Sequence, residues 1–416
     1  MKIAVVLLAV STFFAGCAAP PTQAPSTQPA PPQGAILSKR YSNLFKELLG
    51  KSDSEVNAKI DAAWQHYFLG DRDTQRLYYE VEPDMAYIKD INNDDVRSEG
   101  MSYAMMIGVQ LDKKKEFDRL WAWAKKYMYQ SEEPYKGYFA WHCKDDGTQL
   151  DANPASDGEI WFATALFFAS ARWGDGQGIY NYRAEANAIL DTMLHTDERS
   201  SSGVATNLFD AKTKQVVFVP QLGTNSGFTD PSYHTPAFYE IWAKNADKDR
   251  AFWKDATAAS RAFFKTAAHP KTGLMPDYAN FDGTPSTDDF HKHLRFDAWR
   301  VAMNVALDWS WHAADPWQRE QSDRWLNFFA AQGVDRYVNQ YTLDGKPLSQ
   351  DRSPGLIAMN AVATLAATTD KRKDFVSALW ELEPSSGQYR YYDGMLHLLG
   401  LLQVSGKFQA WSPQSK

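Results

Sequence analysis

Cysteine is almost absent from this chain of 416 residues, which has only Cys17 and Cys143. Once a leader ending before Cys17 is removed, Cys143 is the one cysteine left in the body, so an intrachain disulfide is excluded there. Its neighbour His142 makes neither a triad nor a metal site with it, and Cys143 reads as packing. Metal-ligand spacing is missing too. The nine His form no His-Glu-x-x-His, and His291-Lys292-His293 reads as a polar-loop pair, so no metal is expected. No Gly-rich phosphate loop and no Gly-x-Ser-x-Gly elbow is present, and no cofactor is expected. Positive charge is short: 44 Lys and Arg stand against 51 Asp and Glu, a net charge of -7. Neutralising phosphates needs a basic face, so nucleic acid is excluded as a partner. The longest like-charge run, Lys113-Lys114-Lys115, is a solvated helix surface. The apolar run Ile3 to Phe14 is too short to span a membrane.

That run follows Lys2 and precedes Ala15-Gly16-Cys17. The shape is a secretory signal over residues 1–16. A Cys directly after small residues resembles a bacterial lipoprotein box, in which Cys17 becomes the lipidated first residue. Residues 17–34 are rich in Pro, Ala, Thr, Gln and Ser, a composition that cannot form a core and fits an extended tether. Such linker composition does not recur, so residues 35–416 are expected to form a single domain. The expected protein is secreted, monomeric and held to a bacterial membrane through lipid alone, facing the periplasm or the cell exterior.

Helix signals dominate the body. Ser52-Asp53-Ser54-Glu55 is a capping box, with apolar residues at helical spacing behind it and Gly70 at the end. Amphipathic segments cover about 53–69, 113–129, 181–195, 247–267, 316–331 and 372–381. Nearly apolar segments alternate with them over about 98–110, 157–172, 231–244, 296–312, 354–368 and 391–405. The second set makes an inner layer and the first an outer layer. Six such pairs predict an all-α fold, an (α/α)6 barrel. Short β-hairpins are expected in the long loops, and Gln215 to Val219 reads as a strand.

Parallel inner helices would gather their N-termini at one end. Those termini carry Glu99, Asp157, Tyr233, Asp297 and Tyr391. The loops leading into them are the long ones, as binding sites require. Acids at the start of a buried helix are costly unless something pairs with them, and a polar ligand is one such partner. Each acid alone also fits helix capping or the helix dipole. Three together, flanked by the small residues Gly100, Gly158 and Ala298 that would leave space for a ligand, point to acid–base chemistry on a hydroxyl-rich substrate. The 15 Trp, 20 Tyr and 23 Phe serve chiefly as core, with some free to stack on sugar faces.

Several ordered motifs carry a family resemblance. They are Ala155 to Trp173, Asn93 to Tyr103, Gly137-Tyr138-Phe139-Ala140-Trp141, Asp230-Pro231-Ser232-Tyr233-His234 and Arg390-Tyr391-Tyr392-Asp393. On these, residues 40–412 resemble glycoside hydrolase family 8, and most closely its xylan-acting members. Glu159 departs from the first motif, which more often has Asp there. The resemblance implies the (α/α)6 barrel and an inverting mechanism. It makes Glu99 the general acid, Asp297 the general base of a water, and Asp157 the ligand of the sugar at the cleavage point. Tyr233 would help position the water or the base. Trp141, in a loop, is the candidate stacking platform, and Arg300 and Tyr391 complete the substrate-binding set.

The expected activity is hydrolysis of β-1,4-xylosidic bonds in xylan and xylo-oligosaccharides. Some xylan-acting relatives release xylose from the reducing end because a loop with a Leu-His-Pro kink closes the leaving-group side. The corresponding stretch here, Asp344 to Leu356, has no His and is shorter, so endo cleavage is expected and reducing-end release is the alternative. Other family 8 specificities (cellulose, mixed-linkage glucan, chitosan) rank lower. So does a non-catalytic glycan-binding lipoprotein, which would not need the three acids.

Overall fold

Two short helices, α1 (Ala35–Ser38) and α2 (Leu44–Leu49), lead into the body. Ser52 then starts the first long helix: its hydroxyl accepts from Glu55 N–H while the Glu55 carboxylate accepts from Ser52 N–H. This computed structural model describes residues 33–412. The signal segment 1–16, Cys17 and the tether up to residue 32 lie outside the described residues.

Twelve longer helices follow in sequence. They are α3 (Asp53–Trp64), α4 (Ser98–Gln110), α5 (Lys114–Trp123), α6 (Ser156–Trp173), α7 (Tyr182–Arg199) and α8 (Pro236–Asn245), then α9 (Arg250–Ala267), α10 (Trp299–His312), α11 (Trp317–Gln332), α12 (Pro354–Ala363), α13 (Arg372–Glu381) and α14 (Arg390–Val404). The even-numbered ones are the inner layer. In α4 every residue but Glu99 is buried, and in α6 everything from Ser156 to Ala169. The odd-numbered ones bury one stripe only, such as Trp253, Ala256, Ser260, Phe263 and Phe264 of α9. Each inner helix packs on the next, from α4 through α6, α8, α10 and α12 to α14, and α14 returns to α4. This closed ring is the (α/α)6 barrel. One principal hydrophobic core runs through it, with a smaller cluster between α9 and α10.

Among the described residues the strands are short and sit in the loops. β1 (Tyr78–Val81) and β2 (Met85–Ile88) form a hairpin. β3 (Val96–Arg97) pairs with β4 (His142–Cys143), which pairs with β5 (Gln149–Asp151). Gln215 to Val219 is not a strand; it makes a single bridge, Phe209 to Val216. Its other amides go to separate partners, Leu208, Phe228 and Asn225, so no continuous ladder can form. Cys143 is buried, and burial pushes its thiol up to about 12, as packing requires.

Candidate active site

The site is built where inner helices begin. β3 runs straight into α4, and Ser98 N–H donates to Trp141 O (2.9 Å). That bond holds the Trp141 loop against the turn bearing Glu99. Asp157 lies in the first turn of α6. Asp297 precedes α10, which starts at Trp299, so the acid stands on the entry turn and not within the helix as its apolar pattern suggested. Capping does not explain the acids. None of α4, α6 and α10 has a side-chain cap from its own N-cap residue.

Arg300, the second residue of α10 and only 2% exposed, joins them. Its Nη1 donates to Glu99 Oε2 (2.8 Å), Asp157 Oδ2 (2.8 Å) and Tyr103 Oη (2.6 Å). Its Nη2 lies 2.9 Å from Asp297 Oδ1, an ionic contact without an aligned N–H. Tyr391 Oη donates to the other Glu99 oxygen (3.1 Å). Asp157 Oδ1 accepts from Gly158 N–H (2.8 Å). Tyr233 lays its ring 5.6 Å from the Arg300 guanidinium and stacks on Phe218.

One fixed cation facing three carboxylates cannot neutralise them all. Burial then favours holding a proton. Burial raises Glu99 to about 7, against the pull of Arg300 and with help from the charges of Asp157 and Asp297. Burial raises Asp157 as well, again against Arg300. Asp297 is the most open of the three, 31% exposed against 18% for Glu99 and 5% for Asp157.

Two cavities, of about 380 and 490 Å³, meet at Arg97, Glu99 and Asp297. Trp141, Asn153, Asp157, Asn225, Tyr233 and Tyr278 line the first. Asn92, Asn93, Phe296, Tyr389, Tyr391 and Tyr392 line the second. The carboxylates therefore stand at the waist of a two-lobed cleft. No residue of 344–356 lines either lobe.

Every described candidate residue is thus in one place: Glu99, Asp157, Asp297, Arg300 and Tyr391 in direct contact, Tyr233 against Arg300, and Trp141 on the wall. Cys17 lies outside the described residues. Gly100 and Gly158 do a different job from the one expected. A Cβ on Gly100 would sit 2.6 Å from the Tyr391 ring, and one on Gly158 would sit 2.5 Å from Ser98 Oγ. They admit neighbouring protein, not ligand. Two buried loop carboxyls escaped the sequence reading. Asp230 accepts from Ser232 N–H (2.6 Å) and leaves Oδ2 unpartnered. Asp277 accepts from Ala298 N–H (3.2 Å). Asp230 stands inside a recognised motif, which was its only signal, and Asp277 had none, because loop burial has no periodicity.

Comparison with known proteins agrees with this geometry. The model of glycosyl hydrolases family 8 matches residues 87–406. The chain is 47% identical over 385 residues to the reducing-end xylose-releasing exo-oligoxylanase Rex8A of Paenibacillus barcinonensis, spanning 91% of this chain and 99% of that protein. It is 41% identical to a reducing-end xylose-releasing exo-oligoxylanase of Halalkalibacterium halodurans, spanning 92% and 98%. A catalytic-mutant xylanase of Teredinibacter turnerae, solved with xylohexaose, superposes with a TM-score of 0.87 at 47% identity, over 91% of this chain and all of that one. The chain belongs to glycosyl hydrolases family 8, and it is a glycoside hydrolase.

Proposed function

We propose that the protein hydrolyses β-1,4-xylosidic bonds with inversion. The carrying observation is the contrast between two acids on one guanidinium: the more enclosed Glu99, held near 7, and the more open Asp297. Glu99 keeps a proton at neutral pH and gives it to the departing glycosidic oxygen. Asp297 takes a proton from a water, whose oxygen attacks the anomeric carbon from the opposite face. Inverting pairs stand about 6.5–9.5 Å apart to admit that water, and Arg300 between the carboxylates keeps them from closing on each other. Asp157 binds hydroxyls of the sugar at the cleavage point, Tyr233 helps hold the water, and Trp141 offers a stacking face. Tyr391, donating to Glu99, orients the acid.

Two named relatives release xylose from the reducing end of oligosaccharides, and that mode is the reading we put first. Endo cleavage is the second reading. It is favoured by the open second lobe, which no residue of 344–356 lines and at whose rim Tyr389 is 71% exposed. Near-equal identity to an exo-oligoxylanase and to a xylanase (47% each) leaves the choice to experiment.

The experiment is a product profile on xylan and linear xylo-oligosaccharides, with the new anomer followed by NMR before mutarotation. The α-anomer is expected first; the β-anomer first would overturn inversion. Xylose as the sole early product, without viscosity loss, is the outcome of reducing-end release. Rapid loss of viscosity with mixed oligosaccharides is the outcome of endo cleavage. The lipid anchor at Cys17 remains part of the proposal, on the strength of the leader alone.

A further inference from the structure

Next to Asp297 in the fold lies a second acid that lines neither lobe. Asp277 is 2% exposed, and both its oxygens are engaged. Oδ1 accepts from the N–H of Ala298, the residue that follows Asp297 (3.2 Å). Oδ2 lies 3.3 Å from Nδ1 of His291. The backbone binds the same segments together: Asp277 N–H donates to His293 O (2.9 Å) and Tyr278 N–H to His291 O (3.0 Å). The His291 ring stacks on Tyr278 at 3.9 Å, and Tyr278 lines the first lobe. His291 is 30% exposed and forms the solvent edge of the pair, with Asp277 beneath it.

We propose that Asp277 is a positioning residue for Asp297: it fixes the peptide that carries the base, and its charge, set by its pairing with His291, sets the field in which the base works. This rests on the reading of Asp297 as the base. A capping role alone would explain the bond to Ala298. It would not explain an acid there, because an amide accepts the same N–H. Nor would it explain a half-exposed histidine on the other carboxyl oxygen. The groups that face Asp277 are His291, Asp297, Asp230 and Tyr278. Asp230 is buried with Oδ2 unpartnered, so His291 is the one group among these four that can bring positive charge. Burial raises Asp277 to about 6, with the charge of Asp297 adding to the rise and His291 opposing it. A carboxyl poised there changes charge within the working pH range.

Four variants of the full enzyme test this: Asp277→Ala, Asp277→Asn, His291→Phe and the double variant Asp277→Asn with His291→Phe. Phe keeps the stack on Tyr278. Asp277→Ala should lower kcat about a hundredfold, as misplacement of a catalytic group does, with KM changed less than about threefold. Asp277→Asn should restore most of that loss, because its oxygen still accepts from Ala298. It should also move the acid limb of kcat/KM to lower pH, since a negative neighbour of the base is gone. His291→Phe should move the limb the same way by less, and the double variant should match Asp277→Asn. Wild-type kcat in Asp277→Ala, or an unmoved acid limb in Asp277→Asn, overturns the proposal. Asp297→Asn is the reference: if it retains activity, the reading of the base fails; if it is inactive while Asp277→Ala is normal, only the role of Asp277 fails.

Discussion

At the scale of single residues, Glu99 shows how burial and charge compete. Arg300 alone would pull the carboxyl down, and burial with two neighbouring acids overcomes it. As the acid, Glu99 works only when protonated, so activity should be lost as pH rises through about 7. A kcat/KM profile would show an alkaline limb there, and a limb near pH 4–5 would remove Glu99 from the role. Glu99→Gln should cost about 10²–10⁴ in kcat, least on substrates with good leaving groups. The same residue should weigh on stability. Its folded pKa lies above the unfolded value, so its contribution is fully present below about pH 4.5 and is lost as pH rises through about 7. Gln abolishes this, and the stability of Glu99→Gln relative to wild type should grow by about 1–3 kcal/mol between pH 5 and pH 8. Denaturant unfolding at both pH values measures it.

At the scale of elements, the helices were legible and their partners were not. The apolar stretch 98–110 is α4 to the residue, because a helix buried on all sides writes its limits in composition. The stretch expected from 296 starts as helix at Trp299, because Asp297 belongs to a turn tied to a distant loop by Asp277. Gln215 to Val219 looks like a strand by β-propensity, yet its partners are split between two segments, 208–210 and 225–228. Glu99 and Arg300 stand 201 residues apart; both are candidates from sequence, and only the fold shows that they touch. The glycines were misread for a related reason, since a small residue does not say what fills its space. Gly158 brings α6 against the Ser98 turn of α4. Gly158→Ala should cost about 1–3 kcal/mol by overpacking and lower kcat, because the same turn carries Glu99. Unchanged unfolding and unchanged kcat would show that the contact yields freely.

At the scale of the whole molecule, the barrel is the working part, and the lipid anchor proposed at Cys17 is its means of placement. No described helix is long and apolar enough to cross a membrane. Cys17→Ala should release or mislocalise the protein with specific activity unchanged, and fractionation of cells would show it. Equal membrane recovery of both forms would remove the lipid anchor. The two-lobed cleft carries a different consequence. Its waist is made by residues at the start of α4 and α10, while much of the lining of both lobes comes from other segments, such as those of Trp141, Asn225 and Tyr389. Scissors and ruler are separate parts: a graft that lengthens 344–352 could change the lengths into which a chain is cut, and every cut would still leave the same anomer.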